Sequence, residues 1–323
     1  MNTTKKTALI TGVTGQDGSY MAESLFANGY QIVAIVRNAS NVIKINQSAK
    51  FKQDIVTIQW NFLDNHTIRE TLLKYRPIEI YNFAAFSSGS GMFDSPVEIA
   101  DVNGLAVTRI LDAIRLVDIN IRFCQASSSE MFGNALESPQ SEHTVFRPRT
   151  PYGAAKLYAH SMIDIYRKRY GMFACSAILF NHESPRRGLN FVSRKVARAA
   201  AAIKFGDETD LVLSTLDARR DWGFAGDYVR AMQLMLQHSE PDDYVVATGV
   251  THSVQELCDI AFSHVGLDYR DFVKINPDYS RATETLQLVG DASKAREILG
   301  WEPSLEFANL IRMMVDSEIK SFK

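Results

Sequence analysis

The run Thr7-Ala8-Leu9-Ile10 stops at Thr11-Gly12-Val13-Thr14-Gly15-Gln16-Asp17-Gly18, and a stretch of helical period follows over residues 20–28. This order constrains the fold more than anything else in the chain. A short apolar, β-leaning run suits a strand buried on both faces, as in a parallel sheet. The spacing Gly12-x-x-Gly15-x-x-Gly18 between strand and helix lets backbone approach a pyrophosphate at the helix N-terminus. Gly12, Thr14, Gly15, Gln16, Asp17 and Gly18 are therefore candidate dinucleotide-binding residues; the competing reading is a tight turn alone.

The alternation continues. Strand patterns fall at 31–36, 55–60, 78–83, 121–126 and 173–179, and helical ones at 68–74, 102–117 and 152–170. Strands alternating with helices predict an α/β, Rossmann-like, doubly wound parallel sheet. After about residue 180 the pattern breaks. Residues 181–190 carry Pro and Gly and no period, and helical character returns at 192–205, 228–237, 253–265 and 305–322. With 323 residues the chain exceeds one typical core, so a smaller, mainly C-terminal α/β lobe is expected.

A formal charge of −2 gives no electrostatic case for nucleic acid or a membrane surface. No apolar run approaches the roughly 20 residues of a membrane span. Cys124, Cys175 and Cys258 lack metal or redox spacing, and the histidines form no metal box, so no metal is expected. The opening MNTTKKTALITG runs straight into a strand, and the cytoplasm is the expected compartment. Basic residues crowd between Arg186 and Lys204, either as a solvated face or as a phosphate site.

Tyr152 and Lys156 stand four apart on a predicted helix and so share a face. An ammonium there can lower a phenol pKa that normally sits near ~10, making Tyr152 a candidate base toward a sugar hydroxyl. Upstream, Ser127-Ser128-Ser129-Glu130 ends a strand and adds a carboxylic acid/base. Ser128 and Glu130 would point the same way if strand geometry continues. The competing readings are a chance helical pair and a turn-capping glutamate. The second strand ends in Val36-Arg37-Asn38 with no acid, which favours NADP over NAD; otherwise Arg37 is a plain surface residue.

These motifs, together with Leu179-Phe180-Asn181-His182-Glu183-Ser184-Pro185-Arg186-Arg187-Gly188, Arg219-Arg220-Asp221-Trp222-Gly223 and Ala247-Thr248-Gly249, resemble the GDP-mannose 4,6-dehydratase family of the extended short-chain dehydrogenase/reductases. The resemblance implies a homodimer or homotetramer and a chemistry of three parts. Hydride leaves sugar C4 for NADP, water is eliminated across C5 and C6, and the hydride returns to C6. It makes Ser128, Glu130, Tyr152 and Lys156 catalytic, with Ser128 where the family has Thr. It extends the cofactor set to Arg37, Asn61, Phe62, Ala84, Ala85, Ser87, Tyr152, Lys156, His182 and Arg187. It assigns the GDP-sugar to Ser87, Ser88, Glu130, Asn181, Asn190, Phe191, Val192, Lys195, Arg220, Arg281 and Glu284. It places an NADP-binding domain at 1–180 plus segments within about 206–260, and a nucleotide-sugar lobe at about 181–205 and 261–323.

The chain departs from the family at Asn38 (usually Arg), Asn61 (usually Asp), Phe86 and Ser88 (usually Gln and His) and Ala282-Thr283 (usually Pro-Ala). The altered loop over 86–91 leaves a GDP-heptose or GDP-amino sugar open as substrate. A nucleotide-sugar epimerase or 4-keto reductase, and a non-catalytic NADP-binding scaffold or sensor, are the competing functions.

Overall fold

The computed structural model describes residues 5–38, 55–86, 93, 95–276 and 287–322. Strands β1 (Thr7–Thr11), β2 (Gln31–Val36), β3 (Ile55–Gln59), β4 (Glu79–Asn82), β5 (Arg122–Ser128), β6 (Ala174–Leu179) and β10 (Tyr244–Val246) form one sheet in the order β10-β6-β5-β4-β1-β2-β3. Every pairing in it is parallel. Chain order reverses between β1 and β4, the position where such sheets bind ligands beyond their carboxyl ends.

Side-chain alternation builds two apolar layers on this sheet. Leu9, Val33, Ile35, Ile80 and Phe123 face helices α2 (Asn65–Tyr75), α4 (Ala106–Val117) and α5 (Pro151–Tyr170). Ala8, Ile10, Ile32, Ala34, Tyr81 and Cys124 face α1 (Gln16–Ala27), α7 (Ala225–Gln237) and α9 (Ser293–Leu299). Period-two alternation with both faces apolar is what a parallel sheet between helix layers requires.

A separate core holds α6 (Val192–Phe205), α8 (Val254–His264) and α10 (Phe307–Ser321), with Trp222 of β9 (Arg219–Phe224). Strand β9 pairs in parallel with β7 (Asn181–Glu183) and antiparallel with β11 (Thr251–Ser253), while β8 (Leu211–Leu213) pairs in parallel with β12 (Val273–Ile275). Packing divides the chain more finely than the expected segments. Leu257 and Cys258 join the second core, whereas Leu288, Ala292, Ala295 and Trp301 return to the first.

Several elements differ from the sequence reading. Helix α1 starts at Gln16 rather than residue 20, because its first turn is built on glycine. The pattern over 102–117 is α4 preceded by a short helix, α3 (Pro96–Ala100), and a π-turn at Asp101–Leu105. Strand β7 lies within the stretch read as aperiodic, and β8 to β12 and α9 were not read from the sequence; β8, β10, β11 and β12 have three residues each, too few to show a period, and the six of β9 carry charges rather than an apolar run.

Helix α5 has clear stops. The Thr150 hydroxyl accepts the Gly153 N–H at 3.0 Å, Pro151 opens the first turn, and Gly171 closes the helix at φ 66°. Asp221, 1 % exposed, ties distant segments together. It accepts from Thr248 N–H (2.9 Å), Thr248 Oγ1 (2.5 Å), Gly249 N–H (2.9 Å) and Gly290 N–H (3.3 Å). Asp221→Asn turns an amide N–H toward these donors. It is expected to cost about 1–3 kcal/mol, read as a lower urea midpoint at unchanged slope.

Candidate active site

The glycine turn has no space for side chains. A Cβ on Gly12, at φ 65°, would lie 2.8 Å from the Phe83 carbonyl carbon, and one on Gly18 would lie 2.3 Å from the Gly12 oxygen. Gly15 occupies the N-cap of α1 without a side-chain cap. Bare backbone at a helix N-terminus, beside the β1/β4 switch point, fits a dinucleotide pyrophosphate. Arg37 and Asn38 lie at the end of β2, and the Arg37 guanidinium stands 5.9 Å from the Phe86 ring centroid. Asn61 Oδ1 accepts the Leu63 N–H (3.0 Å), while the Phe62 ring packs edge-on against Trp60. Ala84 and Ala85 follow β4 at the same sheet edge.

Gln16, Asp17 and His182 turn out to hold one another. Gln16 Nε2 donates to the His182 carbonyl (3.0 Å), and Ser184 Oγ donates to Gln16 Oε1 (2.7 Å). His182 Nε2 lies 3.0 Å from Asp17 Oδ2, while its Nδ1 lies 2.7 Å from the Phe180 carbonyl. Both ring nitrogens thus face acceptors, which suits the imidazolium. Burial works against that charge, yet the Asp17 carboxylate and its hydrogen bond carry the His182 pKa above its ordinary value. Burial likewise works to raise Asp17, and His182 and Arg187 overcome it, leaving the carboxyl lowered.

A row of buried hydrogen bonds crosses the carboxyl ends of three strands. Ala84 N–H donates to Thr11 Oγ1 (3.0 Å), and Thr11 Oγ1 to Asn82 Oδ1 (2.5 Å). Asn82 Nδ2 then donates to Gln125 Oε1 (2.6 Å), and Gln125 Nε2 to the Ala126 carbonyl (2.8 Å). Lys156 Nζ donates to that same carbonyl at 2.7 Å. The sequence reading missed this row, although part of its signal was present in Thr11 and Asn82, the polar residues that end β1 and β4. It also missed Asn103 in the π-turn, which is 1 % exposed and grips the Phe86 backbone through Oδ1 (2.8 Å) and Nδ2 (3.1 Å).

Ser128, Glu130, Tyr152 and Lys156 converge at the end of β5. A Cβ on Gly153 would lie 2.5 Å from the Glu130 carbonyl oxygen, so the first turn of α5 rests directly on the Glu130 backbone. Strand geometry stops at Ser128: residues Ser129–Met131 form a 3-10 turn, and the Ser128 hydroxyl accepts the Glu130 N–H at 3.2 Å. The two side chains are brought together by that turn rather than by strand alternation. Burial and the Glu130 charge push the Tyr152 phenol up to about 12, against a Ser128 hydrogen bond and the Arg187 charge that pull it down. Lys156, expected to do the lowering, is committed to Ala126 with its Nζ 5.7 Å from the Tyr152 ring centroid, and burial brings it down to about 8.

Most of the basic cluster beside the site is braced internally. Arg186 reaches Glu23 (2.7 Å) and Ser19 (3.0 Å) on α1, Arg194 pairs with Glu318 (2.7 Å), and Lys195 Nζ donates to the Val212 carbonyl (2.7 Å). Arg187 stacks on Phe191 at 3.7 Å; its Nε lies 3.1 Å from Glu183 Oε2, off the line of a hydrogen bond. Asn181 starts β7, opposite Trp222 of β9. Asn190, Phe191 and Val192 lead into α6, with Phe191 as its N-cap, and Arg220 lies on β9 with Nη1 on the Arg219 carbonyl. Ser87, Ser88, Arg281 and Glu284 lie outside the described residues, as does most of the altered loop after Phe86.

Residues 9–314 match the family model described as GDP-mannose 4,6 dehydratase. The chain is 46 % identical to GDP-mannose 4,6 dehydratase 1 of Arabidopsis thaliana, over 99 % of this chain and 91 % of that protein. It is 41 % identical to the GDP-mannose 4,6-dehydratase of Vibrio cholerae, over 98 % and 94 %. Among solved structures, UDP-glucose 4-epimerase of Thermotoga maritima with UDP-glucose superposes with a TM-score of 0.86 at 21 % identity, covering 98 % of this chain and 100 % of that one. The dTDP-glucose 4,6-dehydratase of Bacillus anthracis in complex with NAD gives 0.84 at 18 % identity, covering 98 % and 97 %. At these identities the structures show the shared fold.

The Asp17–His182 pair makes stability depend on pH. The His182 pKa is raised, so its contribution is complete below its ordinary 6.5 and fades as pH rises through the shifted value. The Asp17 pKa is lowered, so its contribution holds above 3.8 and fades as pH falls through the lowered value. Melting temperature should therefore decline on the alkaline side of 6.5, and His182→Asn should flatten that decline. An identical profile in the variant would refute the charged pair.

Proposed function

This chain belongs to the GDP-mannose 4,6-dehydratase family, and we propose that it converts GDP-mannose to GDP-4-keto-6-deoxymannose with NADP as its resident cofactor. The observation that supports this best is the convergence of Ser128, Glu130 and Tyr152 on one side of the β5–α5 junction, with Lys156 one turn behind. An oxidation at C4 needs the Tyr/Lys pair; elimination of water needs a further acid/base, which Glu130 supplies.

When bound, NADP supplies the acceptor for the C4 hydride and returns the same hydride to C6. Tyr152 takes the C4 hydroxyl proton, and the Ser128 hydroxyl holds that oxygen. Ser128 and Arg187 are the groups of this chain that oppose the burial of the phenol. Lys156, anchored on Ala126, fixes the back of the site where the nicotinamide ribose would lie. The C4 ketone acidifies C5–H; Glu130 removes that proton and delivers it to the C6 hydroxyl, which leaves as water, and a proton equal to the one Tyr152 took from the C4 hydroxyl restores C5–H as C6 is reduced. Arg37 is assigned to the 2′-phosphate, with the backbone at Gly12, Gly15 and Gly18 on the pyrophosphate. Asn61, Phe62, Ala84 and Ala85 are assigned to the adenosine side, and Asn181, Asn190, Phe191, Val192, Lys195 and Arg220 to GDP.

We also assign the chain to the cytoplasm, where three unpaired buried cysteines remain reduced, and to a homo-oligomer. Leu105, Leu116, Tyr158, Ile165 and Tyr170 leave apolar surface exposed along α5, α4 and the π-turn, which supports self-association.

Two measurements test the reading. Incubation with NADP and GDP-mannose, followed by mass, is expected to show loss of one water with no net NADPH. Glu130→Gln should slow that loss by about 10²–10⁴-fold; a wild-type rate in the variant would overturn the acid/base role of Glu130, while a wild-type product of unchanged mass would move the assignment to an epimerase. Arg37→Ala should raise KM for NADP roughly ten- to hundredfold, the worth of a charge-assisted phosphate contact, with little effect on NAD. Equal effects on both cofactors would argue against the 2′-phosphate role.

A further inference from the structure

We propose that His160 is a positioning residue for this reaction: as a neutral imidazole it pins the catalytic helix to the catalytic strand through a line of hydroxyls that ends at the neighbour of Ser128. The inference rests on the dehydratase reading and concerns residues outside the reacting set.

His160 lies one turn beyond Lys156 on α5, hence on the same face. Its Nδ1 is 2.8 Å from Ser176 Oγ on β6, and Ser176 Oγ is 2.6 Å from Ser127 Oγ on β5. Ser176 is fully buried and Ser127 nearly so. Behind the ring, Nε2 stands 4.0 Å from Asp243 Oδ2. Asp243 also accepts the Ser176 N–H at 2.8 Å and is gripped by Arg167. The line joins three elements in a water-poor space, where each hydroxyl must find both a donor and an acceptor.

The proposed order of donors and acceptors is compatible with these distances. Nε2–H faces the Asp243 carboxylate, Nδ1 accepts from the Ser176 hydroxyl, and the Ser176 oxygen accepts from Ser127. A second ring proton would sit on Nδ1 and donate to Ser176. Ser176 would then turn its own proton toward Ser127, and Ser127 would lose the acceptor it had. The line reverses, and the disturbance arrives next to Ser128.

The charged groups around the ring are Asp243, on the segment leading into β10, and Arg167 and Asp164 on α5. The Phe146 ring meets the imidazole edge-on at 5.0 Å. Burial lowers the His160 pKa and outweighs the pull of Asp243, so the neutral ring is the resting form near neutrality.

The test follows kcat and KM for GDP-mannose on the NADP-loaded enzyme between about pH 5 and 8. Wild-type kcat is expected to fall on the acid side of about 6.5 while KM stays level. Ser176→Ala should lower neutral kcat several-fold with KM unchanged. His160→Asn keeps an acceptor near Nδ1 but cannot titrate, so it should retain neutral activity and lose the acid limb. Circular dichroism melts confirm that each variant is folded. An unchanged acid limb in His160→Asn, or wild-type kcat in Ser176→Ala, overturns the proposal while leaving the dehydratase reading intact. An inactive wild type instead sinks that reading and the positioning role with it. Nitrogen-15 spectra, assigned against His160→Asn, read the line independently of turnover: an Nε2–H tautomer at neutral pH supports it, and an Nδ1–H tautomer or an imidazolium overturns it.

Discussion

The row from Thr11 through Asn82 and Gln125 to Ala126 fixes the geometry on which the site depends. Thr11 and Asn82 end their strands and Gln125 lies within β5, all three buried where lost partners are not replaced by bulk water. Buried amides and hydroxyls left unmatched are costly, so the row is satisfied as a whole or fails as a whole. It also sets register. A one-residue slip of β4 would turn Asn82 to the opposite face and break both its bonds. At one end the row holds the backbone of Ala84 beside the glycine turn; at the other it shares a carbonyl with Lys156. The glycine turn and Lys156 are thereby measured from the same ruler.

A second constraint ties the glycine turn to the segment after β6. Gln16, Asp17, Ser19 and Glu23 on α1 receive Ser184, His182 and Arg186. The Asp17–His182 ion pair adds to stability, and burial offsets part, but not all, of that gain. Its further effect is to admit one docking of the two segments. That docking places Arg187 near both Asp17 and Tyr152, so one guanidinium acts on the glycine turn and on the phenol together.

The parallel sheet was legible because its strands are apolar on both faces and separated by helices with clear stops. The glycine turn and the Tyr152/Lys156 pair were legible because backbone freedom and helical spacing leave marks on the sequence itself. The small strands were not. Arg219–Phe224 carries three charges in six residues, and its pairing depends on partners from two distant segments. Nor could the electrostatics at Tyr152 be read in advance. A lysine four residues away suggested the lowering influence, but the carbonyl of Ala126 claims that ammonium, and Arg187 reaches the phenol from another part of the chain. The basic run from Arg186 to Lys204 looked like phosphate chemistry or a wet face; half of it is scaffolding whose acidic partners lie on α1 and α10.

Two of the hydrophobic cores are woven from one thread. After β6 the chain enters the second core with Val196, returns to the first with Val229, leaves again with Leu257, comes back with Ala292 and Trp301, and ends in the second with Leu310 and Val315. Neither core is a contiguous stretch that could be excised and folded alone. During synthesis the first waits for Trp301 and the second for Val315, so both stay open until nearly the whole chain has emerged. A nascent chain arrested after β6 exposes the edge where β10 belongs and the apolar face that α7 and α9 cover, which makes the last third of the sequence the step that retires the aggregation hazard of what precedes it.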